Sequence, residues 1–238
     1  MLDRGWFGRV PTRAHLVICG FPRSGTTLLQ LMVQTAVPEA RCFGRERWGL
    51  GAAQRHWPGR HPYLITKRPD DIFWIDEIRE FYATLGTRTQ SRFVICVRDP
   101  RAVLTSRHEL NKSDYWVSVD RWRATYDHYR YASRFSDVCV IDFRDLIIDI
   151  ALVQRRMTQL VGWTVSANFE DFYTRVPEDF DTTALNGVRS LDARVLERWG
   201  RSEHKERMRY LLREMPELPA RVIEMGYEAD DSWTDAYR

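Results

Sequence analysis

The sequence is poor in lysine and cysteine and has no long hydrophobic run. Of its 36 basic residues only three are lysines, Lys67, Lys112 and Lys205. The four cysteines show no CxxC spacing, which argues against a zinc site or a disulfide framework. No stretch approaches the ~20 apolar residues of a spanning helix, and residues 1–10 lack the apolar region of a signal peptide. We therefore expect a cytoplasmic protein with no membrane span.

The chain also lacks a marked excess of one charge. Its 238 residues carry 36 Lys and Arg against 33 Asp and Glu, a formal net charge of +3. Proteins that coat nucleic acid have a strong basic excess, so no nucleic-acid partner is expected. Hydrophobic residues make up 44% of the chain, which excludes a disordered protein. The length favours one domain over residues 1–238.

Short apolar runs without polar alternation predict the strands of a covered sheet. The runs lie at 16–19, 63–66, 93–97 and 138–141, and helical patterns lie at 28–37, 72–85, 102–110, 119–131, 150–161 and 204–225. The alternation predicts an α/β fold with a central, mainly parallel sheet flanked by helices, a three-layer sandwich. Trp116, Trp122 and Tyr126 have helical spacings and are predicted to be core residues. Segments 41–62 and 173–189 lack a clean period and are predicted to be loops over a site.

A glycine-rich loop follows the first predicted strand. Residues 20–27 read Gly-Phe-Pro-Arg-Ser-Gly-Thr-Thr, with the G-x-x-x-x-G spacing of a phosphate-binding loop (P-loop). Backbone N–H groups and the following helix N-terminus would cradle an anion there. Thr26 stands where a nucleoside triphosphatase has its lysine, and Arg23 offers a cation instead. This difference disfavours the handling of a γ-phosphate with bound magnesium.

A second motif follows the strand at 93–97. Arg98 comes at the strand end and Ser106 eight residues later, so a guanidinium and a hydroxyl can hold one phosphate. Together with the string FPRSGTTLL at 21–29, this motif resembles the P-loop-type, bacterial-like sulfotransferases that use 3′-phosphoadenosine 5′-phosphosulfate (PAPS). The resemblance implies PAPS as the donor, adenosine 3′,5′-bisphosphate as the product, and no need for a metal.

The resemblance also assigns roles by position. The residues that it implies for the 5′-phosphosulfate are Arg23, Ser24, Gly25, Thr26 and Thr27, and those for the 3′-phosphate are Arg98 and Ser106. Lys67 matches the lysine of the family's K-x-P element, where it and Arg23 would stabilise charge on the bridging oxygen. Arg189 and Arg198 lie in a region that resembles the segment closing over the nucleotide. They are implied as further phosphate ligands.

A general base must take the proton of the acceptor hydroxyl. Two places where family branches carry this base hold Thr66 and Lys67 in this chain. Segment 40–47 instead resembles the tyrosylprotein branch, in which a Glu follows a similar Arg-Cys pair, and this makes Glu46 the first prediction. His56 and His61 are the alternatives.

The sequence thus predicts a sulfotransferase acting by in-line displacement. Its acceptor would be a hydroxyl of a carbohydrate, lipid, phenol or other small molecule, and segment 41–62 has no motif that selects among them. Two other interpretations stay open: a P-loop nucleotide kinase or nucleoside triphosphatase, and a catalytically silent nucleotide-binding protein.

Overall fold

A five-stranded parallel sheet forms the centre of the part of the chain that the computed structural model describes, residues 10–55, 59–107, 114–185 and 187–238. The strands are β1 (Ala14–Gly20), β2 (Ala40–Arg41), β3 (Tyr63–Lys67), β4 (Gln90–Val97) and β5 (Val138–Asp142). Their order is β2–β3–β1–β4–β5, and every neighbouring pair is parallel. Strand β1 is central and all seven of its residues are buried.

Helices cover both faces of the sheet. They are α1 (Thr26–Ala36), α2 (Gly49–Gln54), α3 (Ile75–Thr84), α4 (Pro100–Leu104), α5 (Val119–Ala132), α6 (Phe143–Ile148), α7 (Ile150–Val161), α8 (Lys205–Glu214) and α9 (Leu218–Glu224). Over the described ranges, no helix has both the length and the apolar character needed to cross a bilayer.

Alternate residues of β1 point into two separate cores. Leu16 and Ile18 pack with apolar residues of α1 and α7, whereas Val17 and Cys19 pack with those of α3, α5, α8 and α9. Burial on both faces explains why the strand sequences are continuously apolar. The predicted three-layer α/β sandwich is confirmed.

The helix boundaries follow local signals where those signals exist. Helix α7 spans the predicted 150–161, with the Asp149 carboxylate accepting a hydrogen bond from the N–H of Leu152 at its start. The predicted helix at 72–85 is divided into a 3₁₀ turn over Pro69–Trp74 and α3. Helix α4 begins two residues before the prediction because Pro100 fits the first helical position and Asp99 caps it.

The predicted loop 41–62 contains more structure than expected. Its first residue, Arg41, is the last residue of the two-residue strand β2, and the helix α2 lies within it. Helix α2 has the sequence GLGAAQ, with no apolar periodicity to indicate a helix. Its small residues Gly49, Ala52 and Ala53 are buried, so close packing rather than amphipathic character stabilises it.

The parallel strands deliver three of the predicted site segments to one edge. Gly20, Lys67 and Val97 are the last residues of β1, β3 and β4. Because carboxyl ends of parallel strands lie at the same edge, the glycine-rich loop, Lys67 and Arg98 meet there. This is where open α/β sheets bind ligands.

Candidate functional site

The loop after β1 requires glycine at both of its glycine positions. Gly20 has φ 124°, and a Cβ atom there would lie 2.3 Å from the carbonyl oxygen of Cys96. Gly25 has φ 89°, and a Cβ atom would lie 2.6 Å from the ring of Phe143. Both positions therefore combine a left-handed backbone with a close approach of neighbouring atoms.

Arg23 lies at the turn of this loop in a strained conformation. Its φ is 66°, the one positive value of a non-glycine residue in the described ranges. Such a backbone costs on the order of 1–3 kcal/mol and persists when the surroundings hold it. Here Arg98 Nη1 donates to the Arg23 carbonyl oxygen at 2.8 Å, and Arg23 Nε donates to Ser106 Oγ at 3.1 Å. The two sequence motifs are thus joined by hydrogen bonds.

The start of α1 is arranged for an anion. Its N-cap is Gly25, which offers no side-chain acceptor to the first-turn N–H groups. Thr26 is buried and Thr27 half-buried at this turn, and both line the adjoining cavity. The helix dipole adds partial positive charge at the same place. Ser24 has a different position: it is fully buried, and both its hydroxyl and its N–H donate to the Phe21 carbonyl oxygen.

Lys67 and Glu46 form an ion pair. Lys67 Nζ lies 3.0 Å from Glu46 Oε1, with the lysine side chain 6% exposed and the glutamate side chain 55% exposed. The backbone holds the two segments together as well, because the N–H of Arg47 donates to the Lys67 carbonyl oxygen at 3.1 Å. The predicted lysine and the predicted base therefore occupy one place, although the sequence alone did not indicate their contact.

A buried carboxylate lies close to this pair. Asp71 is fully buried; its Oδ2 accepts from the N–H of Gly49 at 2.8 Å, and Oδ1 has no hydrogen-bond partner among the described residues. Arg68 Nη1 lies 4.0 Å from Oδ1, beyond hydrogen-bond distance. Burial raises the pKa of Asp71 to about 7, and the nearby charges of Asp70 and Glu46 act in the same direction.

Arg98 is surrounded by other cations. Burial, together with the charges of Arg23 and Arg198, lowers the pKa of its guanidinium to about 10. Its guanidinium lies 4.3 Å from the ring centroid of Phe143. The Nε atoms of Arg98 and Arg198 are both buried without a hydrogen-bond partner in the described part of the chain. Both arginines line the same cavity, where their charges favour an anionic group.

One cavity of about 870 Å³ connects these features. The predicted site residues that line it are Arg23, Gly25, Thr26, Thr27, Glu46, Lys67, Arg98, Ser106, Arg189 and Arg198. Residues 44–46, 183–185 and 187–189 contribute part of the wall, in agreement with the loop predictions for 41–62 and 173–189. Residues of both sequence motifs therefore line one cavity.

His61, one of the two histidine alternatives, lies away from the cavity. His61 precedes the first residue of β3, whereas Lys67 is its last, so the histidine lies at the opposite edge of the sheet and does not line the cavity. Within β3, the four residue steps from Tyr63 to Lys67 span about 13 Å. His61 is therefore not among the residues that line the cavity, and His56 lies outside the described residues.

Other lining residues were missed by the sequence analysis. Trp116 was predicted to be core, but α5 begins at Val119, so Trp116 precedes the helix, is 37% exposed and lines the cavity. Phe143 and Asp181 also line it. No sequence signal separates these residues from ordinary loop and core positions, because they reach the cavity only through tertiary packing.

Comparison with known proteins gives structural matches alone. No family model matches the sequence, and no curated protein matches it. The sulfotransferase domain from the Synechococcus PCC 7002 olefin synthase superposes with a TM-score of 0.57 and 17% identity, over 79% of this chain and 87% of that one. The sulfotransferase domain from the curacin biosynthetic pathway gives a TM-score of 0.49 and 13% identity, over 92% of this chain and 99% of that one.

These matches do not test the local similarity of segment 40–47 to the tyrosylprotein branch, which stays a prediction. The expected resemblance to sulfotransferases is confirmed at the level of the fold: this chain adopts a sulfotransferase-type α/β fold.

Proposed function

We propose that residues 1–238 form one sulfotransferase domain that moves a sulfuryl group from PAPS to an acceptor hydroxyl. The observation that carries the proposal is the hydrogen-bonded chain from Arg98 through Arg23 to Ser106 at the cavity wall. It joins the two motifs that sequence resemblance assigned to opposite ends of one nucleotide. A fold shared with a sulfotransferase domain adds support.

The hydrogen-bond donors and cationic side chains of the cavity fit a nucleotide with anionic groups at both ends. The uncapped first turn of α1, with Thr26 and Thr27, suits the 5′-phosphosulfate. Arg98 and Arg198 both line the cavity and suit the 3′-phosphate, and a bound anion would offset the repulsion between their guanidiniums. Arg189 is exposed at the cavity wall and would contribute charge. Ser24 shapes the loop through its bonds to Phe21.

The chain's residues divide the chemistry between them. When bound, PAPS supplies a sulfuryl group whose departure leaves negative charge on the bridging oxygen. Arg23 and Lys67 stabilise that charge electrostatically in a site already arranged for it. Glu46 takes the proton of the attacking hydroxyl, and its ion pair with Lys67 holds its side chain in place.

The alternative of a magnesium-dependent kinase receives less support. Thr26 replaces the lysine of such a loop, and the carboxylates at the ends of β4 and β5 are already engaged. Asp99 binds the guanidinium of Arg101, and Asp142 accepts from the hydroxyl of Tyr227 at 2.8 Å. Neither carboxylate lines the cavity.

The acceptor side of the cavity is charged. The wall near Glu46 includes Arg45, Asp70 and Asp181. Hydrogen bonds from Thr183 lower the pKa of Asp181, and the charges of Arg45 and Lys67 act in the same direction. Placing a lipid chain against these side chains would cost desolvation energy. We therefore favour a glycan or a polar small molecule as the acceptor.

The proposal is tested by incubating the protein with PAPS and a panel of hydroxyl compounds. Mass spectrometry then follows adenosine 3′,5′-bisphosphate and sulfated products. We expect release of one bisphosphate per sulfated acceptor, with Lys67→Met close to the background rate. Magnesium-dependent turnover of ATP without any turnover of PAPS would support the kinase instead.

A further inference from the structure

A buried arginine lies three residues after Arg98. Arg101 is 2% exposed and is held between two carboxylates. Asp99 Oδ1 accepts from the backbone N–H of Arg101 at 2.8 Å, and Oδ2 accepts from Nη2 at 2.8 Å. On the other side, Nη1 donates to Glu228 Oε1 at 2.6 Å. A guanidinium in such a fork has one allowed orientation.

Two tryptophans complete this arrangement. The Arg101 guanidinium lies 3.6 Å from the ring centroid of Trp199 and 4.8 Å from that of Trp233, and the two rings pack edge to face. Cation–π contacts are strongest when they are desolvated, as these are. We call Asp99, Arg101, Trp199, Glu228 and Trp233 the Arg101 clamp.

The clamp fastens the turn that carries Arg198. Trp199 follows Arg198 directly in the 3₁₀ turn Arg198–Gly200. A second contact ties the same segment to the end of β4, because Arg98 Nη2 donates to the Val195 carbonyl oxygen at 3.3 Å. Segment 195–199 is therefore attached at two points, one on each side of Arg198.

This attachment opposes electrostatic repulsion. The charge of Arg198 lowers the pKa of Arg98, and each of the two arginines has a buried Nε with no hydrogen-bond partner among the described residues. Without a restraint, the Arg198 side chain would gain hydration and rotamer freedom by moving away. Holding the two guanidiniums together in advance lowers the cost of binding an anion between them.

We propose that Arg101 and Trp199 are positioning residues that hold Arg198 beside Arg98 for joint binding of the nucleotide's 3′-phosphate. The proposal rests on the proposed function, which supplies the ligand. Loosening the clamp should weaken the binding of adenosine 3′,5′-bisphosphate. The affinity for AMP, which has no 3′-phosphate, should be unchanged. The ratio of the two dissociation constants separates positioning from general damage to the fold.

Trp199→Leu is the main variant. It removes the stacking surface and leaves both ion pairs of Arg101 intact, whereas replacing Arg101 would strand two carboxylates. Trp199→Phe keeps an aromatic face and serves as the conservative rescue. Trp163→Leu is the control, since Trp163 is 3% exposed and belongs to the other core. Glu228→Gln weakens the clamp from its opposite side without touching the tryptophans.

Calorimetric titration with adenosine 3′,5′-bisphosphate and AMP gives the readout. We expect the wild-type preference for the bisphosphate to fall about tenfold in Trp199→Leu, in line with loss of a charged hydrogen bond, and to fall in Glu228→Gln as well. Trp199→Phe and Trp163→Leu should keep it within about threefold.

The outcomes distinguish the two proposals. If wild type prefers the bisphosphate over AMP, and Trp199→Leu and Glu228→Gln keep that preference in full, the positioning role alone is overturned. Equal weakening of both nucleotides in Trp199→Leu overturns it too, because a positioning residue for the 3′-phosphate must not affect AMP. Wild-type protein with no preference between the nucleotides contradicts the proposed function and the positioning role together.

Discussion

The Arg98 guanidinium donates a hydrogen bond to the Arg23 carbonyl oxygen at 2.8 Å, across 75 positions of sequence. Arg23 in turn donates through Nε to Ser106 Oγ at 3.1 Å. The residue after β4 thus stabilises the strained turn of the loop after β1. Substitutions in the loop after β1 should therefore affect the segment after β4, and the reverse.

Arg23→Gly and Arg23→Ala separate backbone strain from charge. Both variants lack the guanidinium, so both should bind adenosine 3′,5′-bisphosphate about 10–100-fold more weakly. Only glycine accepts φ 66° without strain, so Arg23→Gly should be more stable than Arg23→Ala by about 1 kcal/mol. Calorimetry and urea unfolding measure the two effects. Equal stability of the two variants would contradict the strained conformation.

Lys67→Met should reduce turnover far more than donor binding. Methionine preserves the buried stem of the side chain but removes the charge that stabilises the transition state, so kcat should fall about 10²–10³-fold. The dissociation constant of adenosine 3′,5′-bisphosphate should change less than tenfold. Lys205→Met is the matched control, because Lys205 is exposed at the start of α8 and should leave kcat unchanged. A kcat within threefold of wild type in Lys67→Met would remove the lysine from the mechanism.

Glu46→Gln should lower kcat/KM about 10²–10⁴-fold, the usual contribution of a general base, and leave donor affinity intact. Asp181→Asn is the control. Hydrogen bonds from Thr183 lower the pKa of Asp181, which makes this carboxylate a poor base, although it lines the same cavity. Steady-state kinetics at saturating PAPS gives the comparison. If Asp181→Asn is inactive and Glu46→Gln is active, the assignment of the base is reversed.

Asp71 should give the protein's stability a measurable pH dependence. Its folded-state pKa, raised by burial to about 7, exceeds the unfolded value near ~4. Between these values the folded protein keeps a proton that the unfolded chain has lost. The free energy of unfolding therefore falls as pH rises from about 4 to about 7, by at most ~4 kcal/mol, and this contribution is constant above pH 7.

Asp71→Asn tests this dependence. The variant cannot titrate, so its stability relative to wild type should increase from pH 5 to pH 8 in urea unfolding. Asp235→Asn is the control, since Asp235 is 64% exposed and paired with Arg238. Parallel stability curves for wild type and Asp71→Asn would mean that the buried carboxyl does not titrate in this range.

The sheet and the loop after β1 were predictable because their signals are local. Burial on both faces leaves a continuous apolar run, and the left-handed turns at Gly20 and Gly25 demand glycine at fixed spacing. Helix α2 was missed because its small residues carry no periodicity. Trp116 was misassigned because helical spacing was counted across the residue where α5 begins.

The contacts within the site were beyond sequence reasoning. The ion pair between Lys67 and Glu46 depends on how segment 44–47 folds against the end of β3. The bond between Arg101 and Glu228 spans 127 positions, and nothing local marks either residue as a partner. The motifs predicted which residue types gather at the strand ends, and tertiary packing decides which atoms meet.

The central claim is that the cavity recognises a nucleotide by phosphates at both ends, and calorimetry tests it most directly. Wild-type protein and Arg98→Ala are titrated with adenosine 3′,5′-bisphosphate, AMP and ATP. We predict that wild type prefers the bisphosphate over AMP by at least about tenfold, the contribution of one charged contact. Arg98→Ala should lose this preference while still binding AMP. Equal affinity of wild type for all three nucleotides would contradict the account.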